Sequence, residues 1–546
     1  MNGSEPMSNT LHEMVTAQAL AHPDAVAVVF KDDSVSYAQL DELSNRMARA
    51  LRGAGCVGGD RVAIMMPKSI EAIAAILGVL KAGCIYVPID PASPAERTAR
   101  MLSVCDMKCV LAGGRAGATL GGLHREGLLG ENLGVAWLTH PTPELPFEPV
   151  FHQADIDSFD ATPPAVQRRS GDIAHILFTS GSTGVPKGVP ITHANALHFV
   201  RWGQDYFGIR PGDRISGHPP LVFDLSTFDI YGSLGAGAEL HLVPPELNLL
   251  PHRLADFIRG HALTQWFSVP SVLNHMAKHG AIHHGDFPSL KRLLWCGEAF
   301  PTPALIHWME RLPNVTFTNL YGPTEATIAS SFYTVPECPR DPSQPVSIGR
   351  ACAGEELLIL DENLQPVPTG KTGDLYIGGP GLSPGYYKDS KKTAAVFLQH
   401  PLRDGPGARI YKTGDLARFG DDGLVYLLGR ADYQIKCRGH RIELGEIEAA
   451  LHTLEELRET AVVAVKTGGL EGNAICCAYV PVNGVTPQEL RRRLTRSLPH
   501  FMVPTRWRAM ERLPLNGSGK IDRNQIKHQF AAQAAPASTT QGGDQL

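Results

Sequence analysis

The stretch from Arg61 to Pro91 constrains the fold more than any other part of the chain. "RVAIMMP" reads as a buried strand, "SIEAIAAILGVLKAG" as a helix and "CIYVPIDP" as the next strand. Strands alternating with helices imply a parallel sheet with helices on its faces. The alternation resumes at "IAHILFTS" and continues through "AELHLV", "LTQWFSV" and "LKRLLWCG". Upstream, "SYAQLDELSNRMARALRGAG" carries apolar residues at helical spacing and a glycine stop at Gly53. Residues 112–170 break the rhythm: rich in Gly and Pro, they read as surface connections around a few strands.

The pattern changes twice more. "EELLILD" and "GDLYIGG" are short strands separated by turns, as in a small β-subdomain. Beyond Arg430 the helical "GEIEAALHTL", the strands "ETAVVAV" and "AICCAYVPV" and the helix "TPQELRRRLTRSL" form an α+β unit of about 100 residues, a domain-sized piece. A chain of 546 residues is too long for one hydrophobic core. The expected organisation is an α/β fold: a large N-terminal domain over 12–431, a small α+β domain over 432–530 and a disordered tail over 531–546.

With 50 Lys plus Arg against 55 Asp plus Glu, the net charge of −5 argues against nucleic acid or an anionic membrane as the main partner. No basic N-terminal segment precedes an apolar run, and no apolar stretch approaches the ~18–20 residues of a membrane span. The 10 cysteines are scattered. Neither Cys105 with Cys109 nor Cys476 with Cys477 has zinc spacing with a neighbouring histidine, and the adjacent His283 and His284 read as a loop pair. Buried reduced thiols and a cytoplasmic location are expected.

"LFTSGSTGVPKGV", Leu177 to Val189, has the ingredients of a phosphate loop. Thr179, Ser180, Ser182 and Thr183 supply hydroxyls, Gly181 and Gly184 let the backbone approach an anion, and Lys187 supplies charge. It is not a standard nucleotide-triphosphatase loop: the hydroxyl that would follow the lysine is missing, and Pro186 blocks a helix there.

"NLYGPTEATI" (319–328), "YKTGDLARFGDDGLVYLLGRAD" (411–432), "RGHRIELGEIEAAL" (438–451) and "LPLNGSGKIDR" (513–523) follow in order. Together with the loop they closely resemble the acyl- and aminoacyl-adenylating superfamily, which spans acyl-CoA synthetases, luciferases and the adenylation domains of nonribosomal peptide synthesis. The resemblance covers about 25 to 525. It implies layered β-sheets and helices in the large domain, a mobile small domain, and two half-reactions. A carboxylate attacks the α-phosphate of ATP, releasing pyrophosphate; a thiol then attacks the adenylate.

The resemblance also implies roles. Thr179 to Lys187 would cradle the phosphates and Thr324 would hydrogen-bond the α-phosphate. Glu325 would hold Mg²⁺, a cation that prefers carboxylate oxygen. Tyr321 would stack on adenine, and Gly297, Glu298 and Ala299 would line its edge. Asp415 would accept the ribose hydroxyls, with Gly322, Tyr426 and Arg430 completing the nucleotide set. Lys520 would bridge the substrate carboxylate and the phosphate, screening two anions from each other. Asp432 would be the hinge about which the small domain swings, bringing Arg438 to Glu446 to the site. His193, after the phosphate loop, matches a family position at a helix start and is counted with Lys520, Thr324 and Glu325 as a candidate catalytic residue, though it is equally readable as a packing histidine.

"HPPLVFDLSTFDIYGSL" bears on the acid. In amino-acid-activating members an aspartate in this context pairs with the substrate ammonium, and Asp224 takes that position; plain acyl activators have no such need. The other pocket positions carry over to Leu225, Phe228, Phe267, Leu294, Cys296, Leu320, Ile328 and Ala329. This apolar set looks like that of stand-alone L-prolyl adenylating enzymes that load a carrier protein. It departs at Phe267 (usually tyrosine), Cys296 (usually alanine), and Ile328 and Ala329 (usually valine and cysteine). Proline is the leading expectation, with another small aliphatic amino acid next and an acyl- or aryl-CoA ligase as a further alternative. The phosphopantetheine thiol would belong to an acyl or peptidyl carrier protein acting in trans, or coenzyme A would serve. A non-catalytic scaffold would not need Thr324, Glu325, Asp415 and Lys520 together.

Overall fold

A computed structural model describes residues 9–130, 132–181, 185–405, 407–432, 434–437, 439–467, 473–482, 484–515 and 521–532. Its contacts divide the chain into two compact units. One is Met1–Thr179 with Pro186–Asp432; the other is Ser180–Val185 with Tyr433–Leu546.

Among the described residues the first unit contains three sheets. A six-stranded sheet runs in the order Gly134–Trp137, Cys109–Ala112, Arg61–Met65, Ile85–Pro88, Ile173–Thr179, Lys187–Thr192. All neighbours are parallel except the last pair, where Thr179 faces Lys187 and Phe178 faces Gly188 in an antiparallel hairpin. The two strands that flank the phosphate-type loop are therefore paired with each other. A nine-stranded sheet has a parallel centre in which Thr316–Tyr321, Arg292–Cys296, Gln265–Ser268, Arg214–Gly217, Glu239–Leu242 and Val26–Phe30 lie side by side. The third sheet is wholly antiparallel and includes Glu356–Leu360, Gly373–Gly378, Arg409–Phe419 and Val425–Arg430.

One hydrophobic cluster joins side chains of the two large sheets through the helices Tyr37–Gly53, Ile70–Lys81, His193–Phe207 and Leu225–Leu234. Ile70–Lys81 is buried at every position but Glu71, as an all-apolar helix must be. Gly78 sits inside it because a Cβ there would fall 2.7 Å from Met47. Lys81 ends it, and its ammonium, 6% exposed, is held by Asp41 at 2.6 Å and Asn45 at 2.8 Å.

Residues 112–170 hold more regular structure than their composition suggests. Ala116–Arg125 is a helix and Gly134–Trp137 completes the six-stranded sheet. The glycines that obscured this helix let it pack closely: a Cβ on Gly117 would come within 3.2 Å of Trp137.

The second unit is built on a three-stranded sheet in the order Leu457–Lys466, Asn473–Pro481, Arg506–Ala509. Ile442, Ile447 and Leu490 belong to one hydrophobic cluster and Leu513, Ile526 and Phe530 to another. The helix Arg523–Ala532 takes in Ala531 and Ala532, which were expected to fall in a disordered tail, and Phe530 within it is 1% exposed. Residues 533–546 lie outside the described set.

Candidate active site

The segment from Asn319 to Ala329 forms the centre of the site. The strand Thr316–Tyr321 ends at Gly322, where a Cβ would lie 2.5 Å from the Cα of Ala329, so only glycine lets the chain double back this tightly. A 3₁₀ turn over Thr324–Ala326 follows, and then Thr327 and Ile328 adopt φ of 58° and 71°. Two consecutive β-branched residues in the left-handed region cost ~1–3 kcal/mol each. The strain is held by Thr327 Oγ1, which donates to the Gly381 carbonyl at 2.6 Å, and by the Ser330 amide, which donates to the Tyr321 carbonyl at 2.8 Å.

That turn brings Thr324 to Asp224: the threonine Oγ1 donates to Asp224 Oδ2 at 2.7 Å. Asp224 immediately precedes the helix Leu225–Leu234 but makes no side-chain cap, so its carboxylate is directed elsewhere. It is half-buried, while Leu225, the next residue, is 5% exposed and part of the core.

Leu225, Phe228, Phe267, Leu294, Cys296, Leu320, Ile328 and Ala329 all fall in that one hydrophobic cluster. The register explains the grouping. Phe267 pairs with Leu294 and Cys296 with Leu320 on adjacent parallel strands, and residues two apart share a face. The site thus lies at the carboxyl ends of parallel strands, where open α/β sheets bind ligands. Phe228 meets Phe267 edge-on at 6.2 Å and Phe199 at 5.3 Å. Its ring occupies space left by two glycines: a Cβ on Gly203 would lie 2.5 Å from it and one on Gly232 2.8 Å. Gly203 and Phe199 were not evident as pocket residues from sequence; Gly232, four residues after Phe228 on one helix face, carried a readable signal.

Glu325 is fully buried and its Oε1 accepts a hydrogen bond from Tyr386 at 2.8 Å. The Lys187 ammonium lies 5.1 Å from the centre of the Tyr386 ring. Lys187, Tyr386 and Glu325 therefore form one contiguous group, and Tyr386 had no motif to mark it. Among the described residues no group of three or more His, Cys, Asp or Glu could hold a metal. A single carboxylate fits Mg²⁺ only where phosphate oxygens and water supply its other positions.

Asp415 is cross-strand partner to Arg430, which donates to it at 3.1 Å, and its second oxygen accepts from the Tyr321 hydroxyl at 2.6 Å. Burial, then the neighbouring Asp415 charge, pushes the Tyr321 phenol well up. Arg430 also grips Asp432 at 2.6 and 2.9 Å. Tyr426 bonds Asp422 at 2.6 Å, and burial with that carboxylate raises its phenol to about 12. Gly297 takes a φ of 97° after its strand, Glu298 accepts from the Ser271 amide at 3.0 Å, and Ala299 is exposed.

His193 begins the helix after the hairpin. It is 1% exposed, its Nδ1 accepts from the Leu11 amide at 3.2 Å, and burial lowers it to about 3. Its ring thus packs at the start of the helix Leu11–Ala21. Thr179 Oγ1 is buried without a hydrogen-bond partner among the described residues, which suits a ligand-facing hydroxyl. Ser180 and Gly181 group with the second unit, where Ser180 Oγ donates to the Arg441 carbonyl at 2.8 Å and the Gly181 amide to Glu446 at 3.1 Å. Ser182, Thr183, Gly184, Arg438 and Lys520 lie outside the described residues.

The model of the family described as "AMP-binding enzyme" matches residues 15–387. The chain belongs to the AMP-binding enzymes. A second model, the AMP-binding enzyme C-terminal domain, matches residues 446–520. This AMP-binding enzyme is 35% identical to tyrocidine synthase 3 of Brevibacillus parabrevis over 95% of its own length and 8% of that protein's. It is 35% identical to bacitracin synthase 1 of Bacillus licheniformis, again over 95% of its length and 9% of the relative's. It therefore corresponds to a small part of each of these curated relatives. Among solved structures it resembles the Vibrio cholerae adenylation domain AlmE, determined with glycyl-adenosine-5'-phosphate, at a TM-score of 0.83 and 26% identity, covering 98% of this chain and 100% of that one. The amide bond synthetase McbA from Marinactinospora thermotolerans also gives 0.83 at 26% identity, over 95% and 99% of the two chains. The AMP-binding enzyme is thus an adenylating ligase by family, with the large and small domains expected of that fold. Among the described residues no helix is long and apolar enough to cross a membrane.

Proposed function

We propose that this enzyme activates an amino acid, L-proline before others, as the aminoacyl-adenylate and passes it to the phosphopantetheine thiol of a separate carrier protein. The observation that carries the reading is the 2.7 Å hydrogen bond from Thr324 to Asp224 beside an apolar cluster. It joins a phosphate-type hydroxyl to a carboxylate suited to a cationic nitrogen. The eight apolar lining residues are each 5% exposed or less, which suits a compact aliphatic side chain.

In the reaction the substrate carboxylate oxygen attacks the α-phosphorus as the bond to pyrophosphate breaks. Asp224 holds the ammonium, Thr324 donates to the α-phosphate, and Lys520 screens the two anions. Asp415 and Arg430 orient the ribose, with Tyr321 beside adenine, and Lys187 takes the outer phosphates. Glu325 would hold Mg²⁺, which when bound neutralises phosphate charge. A thiolate then attacks the acyl carbon and AMP leaves. The unit division after Asp432 supports a hinge there. An adenylation–PCP structure at TM-score 0.78 and 27% identity, covering 95% of this chain, supports a carrier as partner. Phe267 and Cys296, which reshape the pocket relative to the L-prolyl pattern, favour a second reading, a different small aliphatic amino acid.

The test is pyrophosphate exchange into ATP across a panel of amino acids. Exchange highest with L-proline is the expected result. Exchange with no amino acid, together with AMP release from simple acids and coenzyme A, would refute the assignment.

A further inference from the structure

The helices His193–Phe207 and Leu225–Leu234 meet at two glycines, and the ring of Phe228 is seated between them. We infer that Gly203, with Gly232, is a specificity-determining residue: by letting the Phe228 ring sit back, it sets how large an amino-acid side chain the pocket accepts; this rests on the reading above.

Along His193–Phe207, the residues Phe199, Gly203 and Phe207 recur every four positions and share one buried face. A Cβ on Gly203 would lie 2.5 Å from Cε2 and 2.7 Å from Cζ of Phe228, and one on Gly232 would lie 2.8 Å from that same Cε2. The ring edge therefore fills the space where a side chain at either position would begin. The Phe199 and Phe207 rings, one turn to either side of Gly203, have their centres 5.3 and 6.1 Å from that of Phe228 and close its lateral escape. Nor can the helices part cheaply. Leu225–Leu234 is buried at every position, and Gln204, next to Gly203, donates to the Gly232 carbonyl at 3.1 Å. A methyl added at either glycine thus moves the ring rather than the backbone. The direction left is towards Phe267, 6.2 Å away on the strand Gln265–Ser268, and so into the proposed pocket. Phe228 also stands one turn after Asp224. An amino acid whose ammonium is held by Asp224 carries its side chain across this ring, and an advancing ring takes away room for about one methylene.

The experiment measures kcat/KM by pyrophosphate exchange on the full chain, for L-proline and for L-azetidine-2-carboxylate, whose ring is one methylene smaller. Should another aliphatic amino acid exchange best, it and its homologue one methylene shorter serve instead. The ratio of two substrates on one sample cancels the folded fraction, so a loss of stability does not move it. Gly203→Ala is expected to raise the ratio of the smaller substrate to the larger about tenfold, the low end of what one methylene is worth in an apolar pocket. Gly232→Ala is expected to shift it in the same direction. In the Phe228→Leu background, where the ring is gone, adding Gly203→Ala is expected to change the ratio by less than about twofold. A ratio within about twofold of wild type in Gly203→Ala, or in Gly232→Ala should the first not fold, overturns the inference while leaving amino-acid activation standing. A shift towards the larger substrate, or an undiminished effect in the Phe228→Leu background, does the same. Absence of wild-type exchange with every amino acid overturns both.

Discussion

Replacing Asp224 by asparagine isolates the charge on which amino-acid selection is proposed to depend. The substitution keeps the side-chain volume and an oxygen to accept from Thr324, whose bond to Asp224 is 2.7 Å. Breaking a buried ion pair costs ~3–5 kcal/mol, whereas an exposed pair is worth ~0–1 kcal/mol. Asp224 is half-buried and borders a core whose next residue, Leu225, is 5% exposed, so its pair with a substrate ammonium lies between these limits. A loss of ~2–4 kcal/mol corresponds to a fall of about 30- to 900-fold in kcat/KM for the amino acid. The assay is pyrophosphate exchange with L-proline and with tetrahydrofuran-2-carboxylate, which has the same ring size and no ammonium. Asp224→Asn is expected to leave the neutral analogue within about threefold of its wild-type rate while the amino acid falls steeply. An equal fall for both substrates, or a fall below about fivefold for the amino acid, would refute the pairing of Asp224 with the substrate nitrogen.

Other consequences follow from the same geometry. Gly203→Ala would place a methyl 2.5 Å from the Phe228 ring, an overpacking worth ~1–3 kcal/mol, lowering the thermal midpoint; adding Phe228→Leu should recover it. Tyr321→Phe removes the 2.6 Å bond to Asp415 and is expected to raise the KM for ATP about 3- to 10-fold without moving that for the amino acid, as read from exchange at varied ATP. Burial holds His193 and His175 at about 3, far below their ordinary 6.5. The unfolded chain then binds more protons between these values, so their stabilising contribution is intact above pH 6.5 and declines as pH falls towards 3. Thermal midpoints measured from pH 7 to 5 should drop, and His193→Gln should flatten part of that drop; an unchanged slope would count against a neutral buried imidazole. Glu325→Gln is expected to raise the Mg²⁺ concentration needed for half-maximal exchange at least severalfold, measured by magnesium titration.

Much of the layered fold was legible because burial imposes period and composition on a strand or helix. Arg61–Met65, Ile70–Lys81 and Ile85–Pro88 appear where their apolar runs indicate. Ala116–Arg125 was obscured because Gly117 serves packing against Trp137, and local propensity counts it only as a cost. The hairpin pairing of Ile173–Thr179 with Lys187–Thr192 was equally hidden, since a Gly- and Ser-rich loop is compatible with either a hairpin or a helix start. The pocket positions Phe267, Leu294, Cys296 and Leu320 came from matching motifs, and the strand register supplies the reason they meet.

By itself the sequence determined the chemistry available: which hydroxyls, carboxylates and lysines exist, and the order of the motifs that carry them. The tertiary structure alone decided which of these touch. Asp224 and Thr324 are 100 positions apart, and so nearly are Tyr321 and Asp415. Tyr386 joins Glu325 without any motif, and His193 turns to the helix Leu11–Ala21. Contacts of that range arise from sheet order and loop strain, which depend on the whole chain closing around a common core rather than on any local run of residues.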